Sequence, residues 1–96
     1  MKVIHPICAG IDIHKKSFTI ALNVTHETGT YSIQTKTFST MHSSILLARD
    51  WLLQNKCRQI AMESTGKYWI PVFNLFEDHF AITLANPRYT KIFPGK

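Results

Sequence analysis

The hydrophobic residues of the first 38 positions are spaced as in β-strands, and the spacing then changes to that of a helix. Segment 7–13 is almost continuously apolar, which predicts a central strand covered on both faces. Segment 17–25 alternates strictly between apolar and polar residues, as a strand with one buried face does. Segment 31–38 is rich in β-formers and predicts the third strand of an antiparallel meander, after a turn in which Gly29 is free to adopt a positive φ.

After the meander the apolar residues recur at helical spacing. Ser39 and Thr40 are suited to cap a helix over 41–55. Its predicted buried stripe consists of Met41, Ile45, Ala48 and Leu52. Three more elements follow in chain order: a strand over 59–63, a helix over 68–78 and a strand over 81–85.

The predicted order is therefore β-β-β-α-β-α-β. A meander followed by strand–helix–strand crossovers gives an α/β fold with a mixed sheet and helices packed on it. This is the element order of the ribonuclease H-like fold, which we take as the predicted fold class.

Length and composition indicate one globular domain without a membrane segment. The chain has 96 residues, of which 45% are hydrophobic. No apolar run approaches the roughly 20 residues that cross a bilayer, and the first residues lack a signal-peptide core. We therefore expect a cytoplasmic protein without a membrane partner. Cys8 and Cys57 have no second cysteine at metal-ligand spacing and are interpreted as reduced thiols.

The charge balance permits nucleic-acid binding. Eleven Lys and Arg residues against six Asp and Glu residues give a formal net charge of +5. The basic residues are scattered, so the charge alone does not establish such a partner. Lys15, Lys16 and Lys67 are the best candidates for phosphate contacts because they lie near two acidic residues in the sequence; solvated surface lysine is an equally weighted alternative.

Those two acids, Asp12 and Glu63, stand near the ends of predicted strands. If these strands are parallel neighbours, both carboxylates lie near the edge where open α/β sheets bind ligands, and their oxygens suit Mg²⁺. In the alternative interpretation both acids have structural roles. Asp12 then forms a helix-cap or salt-bridge contact with Lys15 or Lys16, and Glu63 caps the next helix. His14, two residues after Asp12, is a further ligand, a phosphate contact or a loop-side neighbour, and the last interpretation is favoured.

Three sequence runs resemble the start of the DEDD transposases of the insertion-sequence-110 family, which includes the pilin-gene invertases. The runs are Gly10–Phe18, Ala61–Pro71 and Ala85–Pro87, and the Met-Glu-Ser-Thr-Gly-x-Tyr-Trp element within the second is the most specific. The resemblance spans almost the whole chain. It implies a RuvC-like ribonuclease H fold in which Asp12 and Glu63 are the first two of four catalytic, metal-binding acids.

The resemblance also implies what lies outside this sequence. The family's last two acids lie in a Lys-x-Asp-x-x-Asp-Ala stretch that would follow Lys96, so 1–96 is expected to be the N-terminal part of the catalytic domain, truncated before its last helix. Mg²⁺ or Mn²⁺ would then bind weakly or not at all, and the chain alone would be inactive. The implied partners are DNA, an element-encoded guide RNA and a second copy of the chain in a homo-oligomer.

The leading functional hypothesis is a fragment of a transposase or site-specific recombinase that acts on DNA by metal-dependent phosphoryl transfer. The first alternative is a non-catalytic remnant that binds nucleic acid or dimerises. A second alternative, an actin-like nucleotide-binding domain, is disfavoured because its phosphate loop would need Gly or Thr after Asp12, where the chain has Ile13-His14-Lys15.

Overall fold

A computed structural model describes residues 6–85, which form a five-stranded mixed sheet with two helices. The elements are β1 Ile7–Ile13, β2 Ser17–Thr25, β3 Tyr31–Ser39, α1 His42–Gln54, β4 Gln59–Ser64, α2 Trp69–Phe76 and β5 Ala81–Ala85. The strands lie side by side in the order β3-β2-β1-β4-β5. β1, β2 and β3 pair antiparallel, whereas β4 is parallel to both β1 and β5. The predicted element order and mixed sheet are confirmed.

Both helices pack on the same face of the sheet, and the core lies between the helices and the sheet. Alternation along each strand sends every second side chain to this face. Ile11, Ile20 and Met62 are neighbours across three strands and are each almost fully buried. Ile45 and Leu52 of α1 pack into the same cluster. Neither helix of the described residues has the length and apolar character of a membrane span.

The prediction that β1 is covered on both faces is wrong for residues 6–85. Ile11 and Ile13 are buried, but Gly10 and Asp12 are exposed and Cys8 is only half-buried. Glycine and a small thiol add to the apolar count of the segment but present little apolar surface, so a strand of this composition needs cover on one side only. We call the helix-free side of the sheet, which carries Cys8, Gly10 and Asp12 on β1, the open face.

Helix α1 begins one residue later than predicted, and Met41 rather than Ser39 or Thr40 is its N-cap. The Thr40 hydroxyl instead donates a hydrogen bond of 3.1 Å to the carbonyl oxygen of Lys15. Met41 is extended and 68% exposed, so the buried stripe begins at Ile45. Thr40 thus ties the start of α1 to the turn between β1 and β2.

The end of α1 contains a strained residue. The backbone N–H of Cys57 donates to Leu52 O and that of Lys56 donates to Leu53 O, both at 3.0 Å, as in a Schellman motif. Lys56 has φ +61° and is the only non-glycine residue with positive φ within residues 6–85. This conformation normally selects glycine because a Cβ is disfavoured there.

We therefore expect Lys56→Gly to raise the free energy of unfolding by about 1 kcal/mol. Urea denaturation measures the change. Lys16→Gly is the matched control, since Lys16 is also an exposed lysine but lacks a positive φ, and it should be neutral or destabilising. A Lys56→Gly variant no more stable than the wild type would show that the helix end carries no strain.

Candidate functional site

Asp12 and Glu63 lie side by side on the open face. β1 and β4 are parallel, and the two residues are register partners, each one position before the end of its strand. Partners on adjacent strands are about 4.8 Å apart in the hydrogen-bonding direction. Both residues are exposed. The sequence-based expectation that parallel neighbouring strands bring these acids to one edge of the sheet is met.

The residues that flank the two acids fix this register. Ile13 and Met62 point into the core and are at most 1% exposed, and Ser64, the partner of Ile13, is buried as well. A slip of one residue would bring the flanking residues of one strand to the open face. The burial of the neighbours therefore holds the two carboxylates together on the exposed side.

A single row of register partners crosses all five strands at the level of the acids. It consists of Thr37, Thr19, Asp12, Glu63 and Ala85. The hydroxyl oxygens of Thr19 and Thr37 are 2.9 Å apart and share a hydrogen bond. Sequence reasoning placed Thr19 on the polar side of β2 but did not pair it with Asp12, because that pairing depends on the hairpin register.

An open groove of about 500 Å³ lies along this row. Its lining includes both acids, Thr19 and the small residues Gly10 and Ala61. The groove therefore combines two carboxylates and a hydroxyl with a floor that carries almost no side-chain bulk.

The structural roles proposed as an alternative for the two acids are not observed. Asp12 Oδ2 accepts a hydrogen bond of 3.1 Å from His14 Nε2, and neither Lys15 nor Lys16 forms an ion pair with it. Among residues 6–85, no side chain forms a hydrogen bond or an ion pair with Glu63. The N-cap of α2 is Tyr68, without a side-chain cap bond, so Glu63 does not cap that helix.

Two turns at the same end of the parallel strands β1 and β4 contain Lys15, Lys16 and Lys67. The first two follow β1 and the third follows β4, and all three are exposed. Since β1 and β4 are parallel, both turns emerge beside the ends that carry the acids. Gly66, with φ +64°, provides the left-handed residue at which the chain turns from β4 towards α2.

Two carboxylates are fewer than most metal sites use. Within the described part of the chain, no group of three or more His, Cys, Asp or Glu side chains is arranged to hold an ion. The Asn86-Pro87 segment of the family motif and the basic residues after it lie outside residues 6–85.

Comparison with solved structures shows the fold. RuvC of Thermus thermophilus superimposes with a TM-score of 0.64 at 13% sequence identity, over 88% of this chain and 66% of that one. The fowlpox virus Holliday junction resolvase gives 0.59 at 18% identity, over 84% and 61%. An Aquifex aeolicus Ppx/GppA family member gives 0.53 at 13% identity, over 86% and 36%. The fold is ribonuclease H-like, of the RuvC type.

The chain thus spans just under two thirds of the length of the RuvC and resolvase structures and about one third of the Ppx/GppA structure. No curated protein matches the sequence. The model of the insertion-sequence-110 DEDD transposases matches residues 9–94, a range that includes both acids and all three lysines. The chain belongs to the insertion-sequence-110 family of DEDD transposases.

Proposed function

We propose that this chain supplies Asp12 and Glu63 as two catalytic, metal-binding acids of a transposase that cleaves and joins DNA by phosphoryl transfer. The observation that carries the proposal is the parallel register of β1 and β4, which sets both carboxylates next to each other on an exposed surface. Two like charges side by side are unfavourable in a fold unless a cation lies between them or solvent screens them.

The donor set fits a hard divalent cation. Carboxylate oxygens are the ligands that Mg²⁺ and Mn²⁺ prefer. Glu63 makes no side-chain contact within residues 6–85 that would compete for its oxygens, and Asp12 uses only Oδ2 in a hydrogen bond. When bound, such an ion neutralises the charge that develops on phosphoryl oxygens during phosphodiester cleavage.

The remaining residues of the site would bind and orient the substrate. Lys15, Lys16 and Lys67 place three positive charges at the edge that carries the acids, where they can contact DNA phosphates as point charges. Thr19 offers a hydroxyl beside Asp12. The small floor of the groove leaves room for a sugar–phosphate backbone next to the carboxylates.

We further propose that residues 1–96 are the N-terminal part of a RuvC-like catalytic domain and that its two other acids come from chain beyond Lys96. Two observations support this: the described residues hold no third acidic ligand, and the chain spans 66% of the Thermus RuvC structure. On this proposal the 96-residue chain binds Mg²⁺ or Mn²⁺ weakly and is inactive by itself.

Family membership implies DNA as the partner. A guide RNA and a homo-oligomer are proposals that rest on the family resemblance. Self-association gains some support from Tyr31 and Ile33, which are 66% and 57% exposed on the edge strand β3. The same exposure favours the second candidate function, a non-catalytic remnant that dimerises.

The charge of the carboxylate pair should affect the stability of the fold. In metal-free buffer, Glu63→Gln should raise the free energy of unfolding by about 0.5 kcal/mol because it removes repulsion from Asp12. With Mn²⁺ at ten times its dissociation constant, the wild type should gain about 1.4 kcal/mol, and the variant should gain far less.

Thermal melting with and without Mn²⁺ measures both effects. Glu27→Gln, in the exposed turn between β2 and β3, is the control and should respond to the ion as the wild type does. Equal Mn²⁺ stabilisation of the Glu63→Gln variant and the wild type would contradict the metal site.

The three lysines at the acidic edge should contribute to DNA binding. Replacing Lys15, Lys16 and Lys67 together by alanine should weaken binding to duplex DNA and reduce the slope of log K against log salt by about 2 to 3. Lys56→Gly is the matched control, since Lys56 lies just before the opposite end of β4. Fluorescence anisotropy across a salt series gives the slopes. The control removes one charge and should lower the slope by less than about 1. If the triple variant lowers the slope no more than this single-charge control does, the DNA does not bind at the acidic edge.

A further inference from the structure

We infer that His14 is a positioning residue for the proposed metal site: its ring holds the Asp12 carboxylate by one oxygen and leaves the other free for the cation. This inference rests on the proposed function. His14 Nε2 lies 3.1 Å from Asp12 Oδ2, and no other side chain within residues 6–85 forms a hydrogen bond with this carboxylate.

Backbone hydrogen bonds fix the position of His14. Its N–H donates to Ser17 O at 2.8 Å and so closes the turn between β1 and β2. The turn is tied to the start of α1 by Thr40, whose N–H donates to Lys16 O and whose hydroxyl donates to Lys15 O, both at 3.1 Å. The imidazole therefore extends back towards Asp12 from an anchored backbone.

The chemistry of the contact defines the role of the ring. An ionised carboxylate only accepts hydrogen bonds, so Nε2 donates to Oδ2. The side chains of His14 and Asp12 are 58% and 60% exposed, so this contact adds little to folding stability. Its effect is orientational: it restricts the rotation of the carboxylate beside Glu63. Hydrogen bonds of this kind to ligating groups commonly change metal affinity by 10- to 100-fold.

The test is the affinity for Mn²⁺ alone, measured from the free-ion signal in electron paramagnetic resonance. His14→Ala should raise the dissociation constant about tenfold. His14→Gln should restore most of the affinity, since its amide nitrogen can donate at the place of Nε2. His26→Ala is the control, since His26 follows the end of β2 on the opposite edge of the sheet, and it should bind Mn²⁺ as the wild type does.

Three results would overturn the inference, each in a distinguishable way. If Glu63→Gln leaves Mn²⁺ affinity unchanged, the proposed metal site itself fails. If Glu63→Gln weakens binding but His14→Ala does not, only the role of His14 fails. If His14→Gln is as weak as His14→Ala and both lose Ni²⁺ binding that the wild type shows, the imidazole is itself a ligand rather than a positioning group, because imidazole suits Ni²⁺ whereas an amide does not.

Discussion

The parallel pairing of β1 with β4 is the constraint on which the rest of the site depends. It brings together residues that are 51 positions apart in the sequence, Asp12 and Glu63, and it fixes them in the same row and on the same face. Hydrophobic burial favours the pairing, because a slip of one residue would move Ile11 and Ile13, or Met62, from the core to the open face. The burial of their neighbours therefore places both acids on the open face, and within residues 6–85 only Asp12 has a side-chain hydrogen bond, the one from His14.

The two faces of the sheet have different roles. The helix-covered face is apolar and provides stability, whereas the open face carries carboxylates, threonine hydroxyls and residues with little side chain. β2 shows this difference, because apolar and polar residues alternate along it. Phe18 and Ile20 are fully buried, and Thr19 between them lines the groove. The two turns with Lys15, Lys16 and Lys67 leave the sheet at the edge where the groove carries its acids.

Much of the fold could be predicted from the sequence, because apolar residues recur at different spacings in strands and in helices. All five strands and both helices were predicted within two residues of their bounds, and the pairing of Asp12 with Glu63 followed from the parallel arrangement. The cover of β1 was predicted wrongly, since glycine and cysteine add to apolar content without requiring burial. The predicted N-cap of α1 was also wrong, because the Thr40 hydroxyl donates a hydrogen bond to the carbonyl oxygen of Lys15, 25 residues earlier in the sequence. The proximity of Thr19 and the ring of His14 to Asp12 depends on hairpin geometry that composition does not encode.

On the proposed function, Asp12 and Glu63 share a divalent cation. Anomalous diffraction from crystals of the chain soaked in Mn²⁺ tests it most directly. We expect a manganese peak between the two carboxylates, with at least one oxygen of each within about 2.0–2.3 Å of the ion. Manganese found only elsewhere on the molecule, or bound to one acid without the other, would contradict it.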